Sequence, residues 1–255
     1  MKGSAKPAVQ VYPSIDALSR AVAERVAAVA RAAAVDRGTF SLVLSGGSTP
    51  RSLYRLLGST HRDQIPWDRT EIFWGDERYV PPEDPRSNYR MTHETLLVHV
   101  RISGQQIHPM PTASENPEEA ATEYEAILRR RFPTERPRFD LVLLGLASDG
   151  HIASLFPGSP ALDEQQRWVA AVRAPADPPR RLTLTLPAIN GAAHIFFLVA
   201  GKAKAGALHR AVVGPCDLRT CPAVGVQPPA GSVIWWVDET AATFLGAAAR
   251  TRASS

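Results

Sequence analysis

The feature that most constrains the fold is a regular alternation between short apolar runs and helical patterns. Segments with the length of buried strands occur at Phe40–Leu44, Glu71–Trp74, Phe139–Leu144, His194–Ala200 and Ser232–Val237. Strands that alternate with helices form mostly parallel sheets that are covered on both faces. We therefore predict a three-layer α/β fold, with a mostly parallel, Rossmann-like sheet and helices on both faces.

The first predicted helix has clear boundaries. Apolar residues recur at helical spacing from Ile15 to Val29, behind the candidate N-cap Ser14, and Gly38 ends the pattern. Three further helices are predicted over residues 51–57, from Asn116 to Arg131, and over about 203–213. The run from Arg129 to Arg131 lies at the negative end of its helix dipole, so a structural role is favoured over ligand binding.

The chain has no segment with the composition of an interdomain linker. Proline-rich stretches at Val80–Pro85 and Pro175–Pro179 are short enough to be loops. We expect one domain across residues 1–255, with loosely ordered ends near 1–8 and 247–255, where the residues are small and polar.

The charge balance and the lack of long apolar runs limit the kinds of partner that the protein is expected to bind. The 29 Lys and Arg residues barely exceed the 25 Asp and Glu residues, and no nucleic-acid-binding motif accompanies them. No apolar run has the length of a signal peptide or a membrane span. We expect a cytoplasmic protein that binds a small anionic molecule and neither nucleic acid nor membrane. The oligomeric state stays open, with a monomer slightly favoured.

The two cysteines, Cys216 and Cys221, have no second Cys or His pair at zinc-site spacing. We interpret them as reduced thiols. This pattern predicts no metal site, and we expect no cofactor.

A glycine-rich loop connects the first apolar strand to the helix that follows it. Glycine backbones can approach an anion closely, and hydroxyl groups and a helix N-terminus can donate hydrogen bonds to it. The loop matches neither the dinucleotide-binding nor the nucleoside-triphosphate-binding pattern. A tight turn without a ligand is the alternative. The candidate phosphate-binding residues are Ser45, Gly46, Gly47, Ser48 and Thr49.

Two charged segments follow other predicted strands, at the sheet edge where ligands bind in such folds. Asp149 and His151 flank Gly150 just after one strand, and the run from Asp76 to Arg78 follows another. A lone histidine is more often structural than catalytic, and three adjacent charges can form a solvated turn. The position of the acid–histidine pair at a strand end favours a catalytic role.

Taken together, these segments resemble the glucosamine-6-phosphate isomerase/6-phosphogluconolactonase family, and most closely its lactonase members. The resemblance runs in order through most of the chain. The matching segments are Leu44–Pro50, Phe73–Pro81, Ser87–Tyr89, Asp149–Pro157, Pro179–Thr185, Gly201–Ala205 and Trp236–Glu239.

The resemblance implies hydrolysis of 6-phosphoglucono-δ-lactone. His151 would activate water, because its unperturbed pKa of ~6.5 lies near the working pH. Asp149 would support the imidazole, and Arg78 would stabilise the oxyanion or bind the phosphate. How the roles are divided among Asp76, Asp149 and Arg78 is left open.

Two further cations match family positions that bind the phosphate, Arg181 and Lys204. Lys204 has separate support, since this chain has only four lysines and uses arginine elsewhere. The neighbouring Lys202 would then be a bystander.

Two other functions remain as alternatives. One is an amino-sugar or pentose phosphate isomerase or deaminase, but the deaminases carry a glutamate five residues after the histidine, where this chain has Phe156. The other is a non-catalytic sugar-phosphate sensor. One departure concerns the loop geometry: the family usually has glycine where this chain has Ala147, and alanine costs about 1 kcal/mol if that backbone needs positive φ.

Overall fold

The computed structural model describes residues 8–252. Short 3-10 turns join many of the helices and strands. The strands are β1 (Ala8–Tyr12), β2 (Phe40–Leu44), β3 (Thr70–Trp74), β4 (Asp76–Arg78), β5 (Ile107–His108), β6 (Leu141–Gly145), β7 (Val169–Arg173), β8 (Arg180–Leu184), β9 (His194–Val199), β10 (Ser232–Asp238) and β11 (Thr251–Arg252). The helices are α1 (Ile15–Arg37), α2 (Ser48–Leu57), α3 (Asn88–Thr95), α4 (Pro117–Arg131), α5 (Leu186–Ile189) and α6 (Ala205–Val212).

The main sheet has eight strands in the order β11-β1-β10-β9-β6-β2-β3-β5, and every neighbouring pair is parallel. All five residues of β2 are buried. Because successive side chains on a strand point to opposite faces, both faces of the sheet must be covered there. The predicted α/β class and parallel sheet are confirmed.

The direction of winding changes between β2 and β6. The chain leaves β2 for β3 on one side, whereas it leaves β6 for β9 on the other. The loops that follow β2 and β6 therefore diverge and leave a crevice at the carboxyl ends of these strands. Ligands bind at such switch points in open α/β sheets.

Helix α1 follows its sequence signals. The Ser14 side chain accepts a hydrogen bond from the backbone N–H of Ala17 at 3.2 Å, so it is the predicted N-cap. Gly38 ends the helix with φ of 77°, a conformation that favours glycine, and donates to the carbonyl oxygen of Ala34. The helix packs against α2 and β10.

A second, antiparallel sheet of three strands, in the order β4-β8-β7, was not predicted. It places Arg78 of β4 directly opposite Arg181 of β8. The alternative of a solvated turn at residues 76–78 is wrong, because Asp76 and Glu77 are only 6% and 3% exposed. This small sheet stands beside the carboxyl end of β3 and forms one wall of the crevice.

The described chain reaches into both ends for which loose order is expected. Ala8 begins β1, and Thr251–Arg252 pairs with that strand. Residues 1–7 and 253–255, on which the rest of that expectation falls, lie outside the described part of the chain. Between residues 8 and 252, no helix is long and apolar enough to cross a membrane.

Candidate active site

A cavity of about 280 Å³ occupies the crevice at the carboxyl ends of β2, β6 and β9. Every predicted site residue except Asp149 lines it. The charged and polar residues around it are Ser45, Ser48, Thr49, Asp76, Arg78, Asn88, His151, Arg181 and Lys204, with Gly46 and Gly47 contributing backbone.

The glycine-rich loop is held in place by the helix that follows it. The Tyr54 hydroxyl of α2 accepts from the backbone N–H of Ser45 and donates to its carbonyl oxygen, both at 2.8 Å. Gly47 precedes the helix with φ of 107°, which an L side chain rarely adopts. Helix α2 thus begins at Ser48, so its first backbone N–H groups lie at the cavity and lack intrahelical partners. This geometry suits an anion.

Asn88, at the start of α3, is a site residue that we did not single out from the sequence. Its side chain donates to the backbone oxygen of Asp76 at 3.0 Å. A Cβ atom on Gly46 would lie 2.0 Å from the Asn88 Oδ1 atom, so Gly46 must be glycine for this contact to exist. Asn88 therefore joins the loop after β2 to the start of β4. The signal was available, because Asn88 lies in the family-like segment Ser87–Tyr89.

His151 and Asp149 form a hydrogen-bonded pair. The Nδ1 atom of His151 lies 2.8 Å from Asp149 Oδ1, and the backbone N–H of His151 donates to the same oxygen at 3.0 Å. The His151 ring also packs against an apolar side chain, since the ring of Phe156 lies 4.4 Å from it, centroid to centroid. Burial lowers the pKa of His151, although the Asp149 carboxylate opposes this by raising it. A neutral ring that donates its Nδ1–H to Asp149 leaves Nε2 available to accept a proton.

The loop between Ala147 and His151 is a closed turn. The backbone N–H of Ala147 donates to the His151 carbonyl oxygen, and the N–H of Gly150 donates to the Ala147 oxygen, both at 3.1 Å. Ala147 does not adopt positive φ, so the strain that we considered for it does not arise. Gly150 does, at 98°, and a Cβ there would also meet the Cys221 Sγ atom at 3.1 Å.

The two acids of β4 have separate partners. Asp76 accepts from the Ser154 hydroxyl at 2.7 Å, which ties it to the loop that carries His151. Glu77 accepts from the backbone N–H groups of Asn88 and Tyr89, at 2.7 Å each, at the start of α3. Burial raises the pKa of Glu77, while these hydrogen bonds lower it. Glu77 is therefore a helix-capping residue, and Asp76 lines the cavity.

Three cations border the cavity with their charge uncompensated. Within residues 8–252, none of Arg78, Arg181 and Lys204 makes an ion pair. Burial lowers the pKa of Arg181, and the nearby Arg78 lowers it further. The Nε atom of Arg78 is buried and finds no hydrogen-bond partner in the described chain. Such an arrangement favours an anionic ligand.

Lys204 stands apart from the two arginines. It lies in the turn that follows Gly201, and burial lowers its pKa, while the Asp149 carboxylate raises it. Lys202, by contrast, is exposed and does not line the cavity. The cavity thus brings His151 and Lys204 together with a pair of arginines on neighbouring strands. Among the described residues, no group of three or more His, Cys, Asp or Glu side chains could hold a metal ion.

Residues 13–235 match the family described as glucosamine-6-phosphate isomerases/6-phosphogluconolactonase. A 6-phosphogluconolactonase of Synechocystis is 44% identical over 216 residues, which cover 84% of this chain and 88% of that protein. One of Mycobacterium tuberculosis is 40% identical over 247 residues, which cover 93% and 98%. The solved structure of 6-phosphogluconolactonase from Trypanosoma cruzi has a TM-score of 0.83 at 29% identity, with 94% of this chain and 97% of that one covered.

These similarities extend over the same strands and loops that build the cavity. The match to the family spans the glycine-rich loop, the small sheet and the loop of His151 alike. The chain belongs to the glucosamine-6-phosphate isomerase/6-phosphogluconolactonase family.

Proposed function

We propose that this chain hydrolyses 6-phosphoglucono-δ-lactone to 6-phosphogluconate, the second step of the oxidative pentose phosphate pathway, with water activated by His151. The observation that carries the proposal is a histidine hydrogen-bonded to Asp149 that shares one cavity with three cations, none of which has an ion-pair partner in the described chain. The first feature suits ester hydrolysis, and the second suits a phosphorylated substrate. The names of the relatives support the same activity.

In the proposed mechanism, His151 Nε2 accepts a proton from a water molecule as the water oxygen attacks C1 of the lactone. The carbonyl oxygen becomes an oxyanion, which a cation lining the cavity stabilises. The tetrahedral intermediate collapses and the bond from C1 to the ring oxygen breaks. The imidazolium returns its proton to that ring oxygen, which leaves as the hydroxyl group of the open chain. Asp149 holds the imidazole in the tautomer that this cycle requires.

The phosphate is proposed to bind at the N-terminus of α2, between the glycine-rich loop and the cations Arg181 and Lys204. Backbone N–H groups at a helix start and charged side chains are the usual partners of phosphate. Arg78 serves either the oxyanion or the phosphate, and Asp76 orients the loop of His151 through Ser154. Binding energy from this remote group then positions the ester carbon.

The contact between Phe156 and His151 favours a lactonase over a deaminase. Phe156 occupies the position of the deaminase glutamate, and its ring packs on the His151 ring. An aromatic ring cannot transfer the proton that ring opening of an amino sugar needs. Its apolar surface instead contributes to the burial that lowers the pKa of His151.

We further propose that the protein acts in the cytoplasm on a small molecule, without nucleic acid and without a cofactor. Lactone hydrolysis needs neither redox chemistry nor an electron sink. Exhaustive chelation should therefore leave turnover unchanged, and activity that is lost to a chelator and restored by one divalent ion would contradict this.

The experiment that tests the function is a coupled assay with freshly generated 6-phosphogluconolactone. Because this lactone also opens spontaneously, consumption must exceed the background and scale with protein concentration. The matched control is the His151→Ala protein, which should approach the background rate. A wild-type rate equal to the background would rule out the proposed reaction.

A further inference from the structure

The two proline-rich loops of the sequence lie at the same end of the small sheet. One runs from the end of β4 to α3, and the other joins β7 to β8. Because β4 and β8 are antiparallel, with Arg78 opposite Arg181, the end of β4 lies beside the beginning of β8. The two loops are therefore neighbours at the wall of the cavity that carries both arginines.

Each loop holds one of these arginines through a backbone carbonyl group. Arg78 Nη1 donates to the carbonyl oxygen of Arg86 at 2.5 Å, in the loop after β4. Arg181 Nε donates to the carbonyl oxygen of Pro178 at 2.7 Å, in the loop before β8. In residues 8–252, neither guanidinium group has another hydrogen-bond acceptor. The position of each arginine thus depends on the position of its loop.

The side chain of Arg86 connects the two loops. Its Nη1 atom contacts Asp177 Oδ2 at 2.7 Å, across to the loop before β8. Its Nε and Nη2 atoms bind the two carboxylate oxygens of Asp84 in its own loop, at 2.9 and 2.7 Å. Asp177 directly precedes Pro178, so the ion pair links the two carbonyl groups that hold Arg78 and Arg181.

We propose that Arg86 and Asp177 form a latch that positions Arg78 and Arg181 for the anionic substrate, an inference that rests on the proposed function. The two guanidinium groups repel each other, as the lowering of the Arg181 pKa by Arg78 indicates. A link between their loops holds them together before the substrate arrives. Arg86 and Asp177 are positioning residues, and preorganisation of this kind improves substrate binding.

Removal of the Asp177 charge distinguishes the latch from a purely electrostatic effect of Asp177 on the cavity. The Asp177 carboxylate lies close enough to raise the Arg181 pKa. If Asp177 acted only through its charge, Asp177→Asn would make the cavity more positive and tighten the binding of a phosphorylated ligand. If Asp177 acts as a latch, the same substitution loosens both arginines and weakens binding. The two explanations predict changes of opposite sign.

The test compares Asp177→Asn, Asp177→Glu and wild type, with Asp163→Asn as the matched control. Asp163 pairs with Arg219, also at 2.7 Å, and both of these side chains are exposed. Since an exposed ion pair is weak, we expect Asp177→Asn to raise KM for 6-phosphogluconolactone roughly two- to fivefold, with kcat unchanged. Asp177→Glu, which keeps the carboxylate, should restore most of the loss. Asp163→Asn should match wild type.

A KM that is unchanged or lower in Asp177→Asn would overturn the latch, and so would an equal rise in Asp163→Asn. Calorimetric titration with 6-phosphogluconate provides a readout that does not require turnover. If the wild-type protein binds this compound but does not hydrolyse the lactone, the proposed function fails. The latch is then judged by the dissociation constant alone, which should rise in Asp177→Asn and recover in Asp177→Glu.

Discussion

Similar residues have different partners at the two ends of the parallel strands in the main sheet. We call the side where these strands begin the amino edge, and the side where they end the carboxyl edge. At the amino edge, a cavity of about 340 Å³ is lined by Arg37, Asp140 and His194, among others. There Asp140 accepts hydrogen bonds from the backbone and side chain of Ser41 and from the Arg37 guanidinium. His194 Nδ1 contacts the Ser232 hydroxyl at 2.7 Å. These pairs tie the beginnings of neighbouring strands together.

At the carboxyl edge, the arginines have no carboxylate partner in the described chain. Arg78 and Arg181 bind only neutral carbonyl oxygens in the described chain, so their charge is available to a ligand. The carboxylate of Asp149 is used to orient an imidazole rather than to neutralise an arginine. The two edges therefore differ less in residue type than in whether their charged side chains are paired with opposite charges.

The largest expected effect comes from a comparison of alanine substitutions at the two histidines. His151→Ala should lower kcat by ~10² to 10⁴ because it removes the proposed general base. His194→Ala should leave kcat within error of wild type, since His194 only joins β9 to β10. The measurement is steady-state hydrolysis, with circular dichroism to verify folding. Undiminished turnover in folded His151→Ala protein would eliminate His151 as the base.

The second test concerns the unpaired cations. Arg181→Met and Lys204→Met should each remove a proposed charged hydrogen bond to the phosphate, worth roughly 1.5 to 3 kcal/mol, and reduce kcat/KM by ~10- to 150-fold. Hydrolysis of glucono-δ-lactone, which lacks the phosphate, should hardly change. Arg138→Met, at the amino-edge cavity, is the control and should affect neither substrate. Equal proportional losses on both lactones would show that these cations serve the chemistry or the fold.

A third, smaller test uses two crowded glycines. Gly46→Ala places a Cβ atom against Asn88, which Asp76 holds, and should lower kcat/KM by ~10-fold or more through displacement of the loop. Gly191→Ala, near the amino edge, places one 2.4 Å from the Pro137 carbonyl oxygen and should lower Tm while kcat/KM is retained. The contrast breaks down if Gly46→Ala retains wild-type kcat/KM.

The smallest expected effects are shifts in pH dependence. His151 must be neutral to act, so activity falls at low pH as its ring is protonated, and burial places this fall below pH 6.5. Asp149 raises the pKa of His151 and Lys204 lowers it. Asp149→Asn should therefore move the fall to lower pH, and Lys204→Met should move it to higher pH. Profiles of kcat/KM against pH measure both, and shifts in the same direction would refute this account.

The sequence predicted those helices and strands whose apolar pattern and caps lie within one short segment of the chain. The run Phe40–Leu44 is apolar on both faces, and Ser14 and Gly38 flank α1 with the expected caps. Strand β4 was missed because its three residues are all charged. Their burial is compensated by hydrogen bonds from residues outside the strand. Ser154, far along the chain, donates to Asp76, and Ser87 and Asn88, which follow a loop, donate to Glu77.

The site was predicted unevenly for the same reason. The glycine-rich loop and Asp149 with His151 were visible because their residues are adjacent in the chain. The roles of Asn88 and Arg86 were not visible, since each depends on a contact with another loop. A single sequence does not specify which loops meet. Asp149 itself supports His151 from outside the cavity lining, a distinction that spacing cannot reveal.

The position of β1 has a consequence for how the chain is made. Ala8 lies opposite Ile234 and Gln10 lies opposite Thr251, so β1 pairs with two strands that are synthesised much later. Until β10 is synthesised, β1 has no ladder partner, and the glycine-rich loop is complete long before Lys204 exists. The half of the sheet beyond β6 can therefore close only after β10 has been synthesised, and its assembly depends on contacts between residues far apart in the chain.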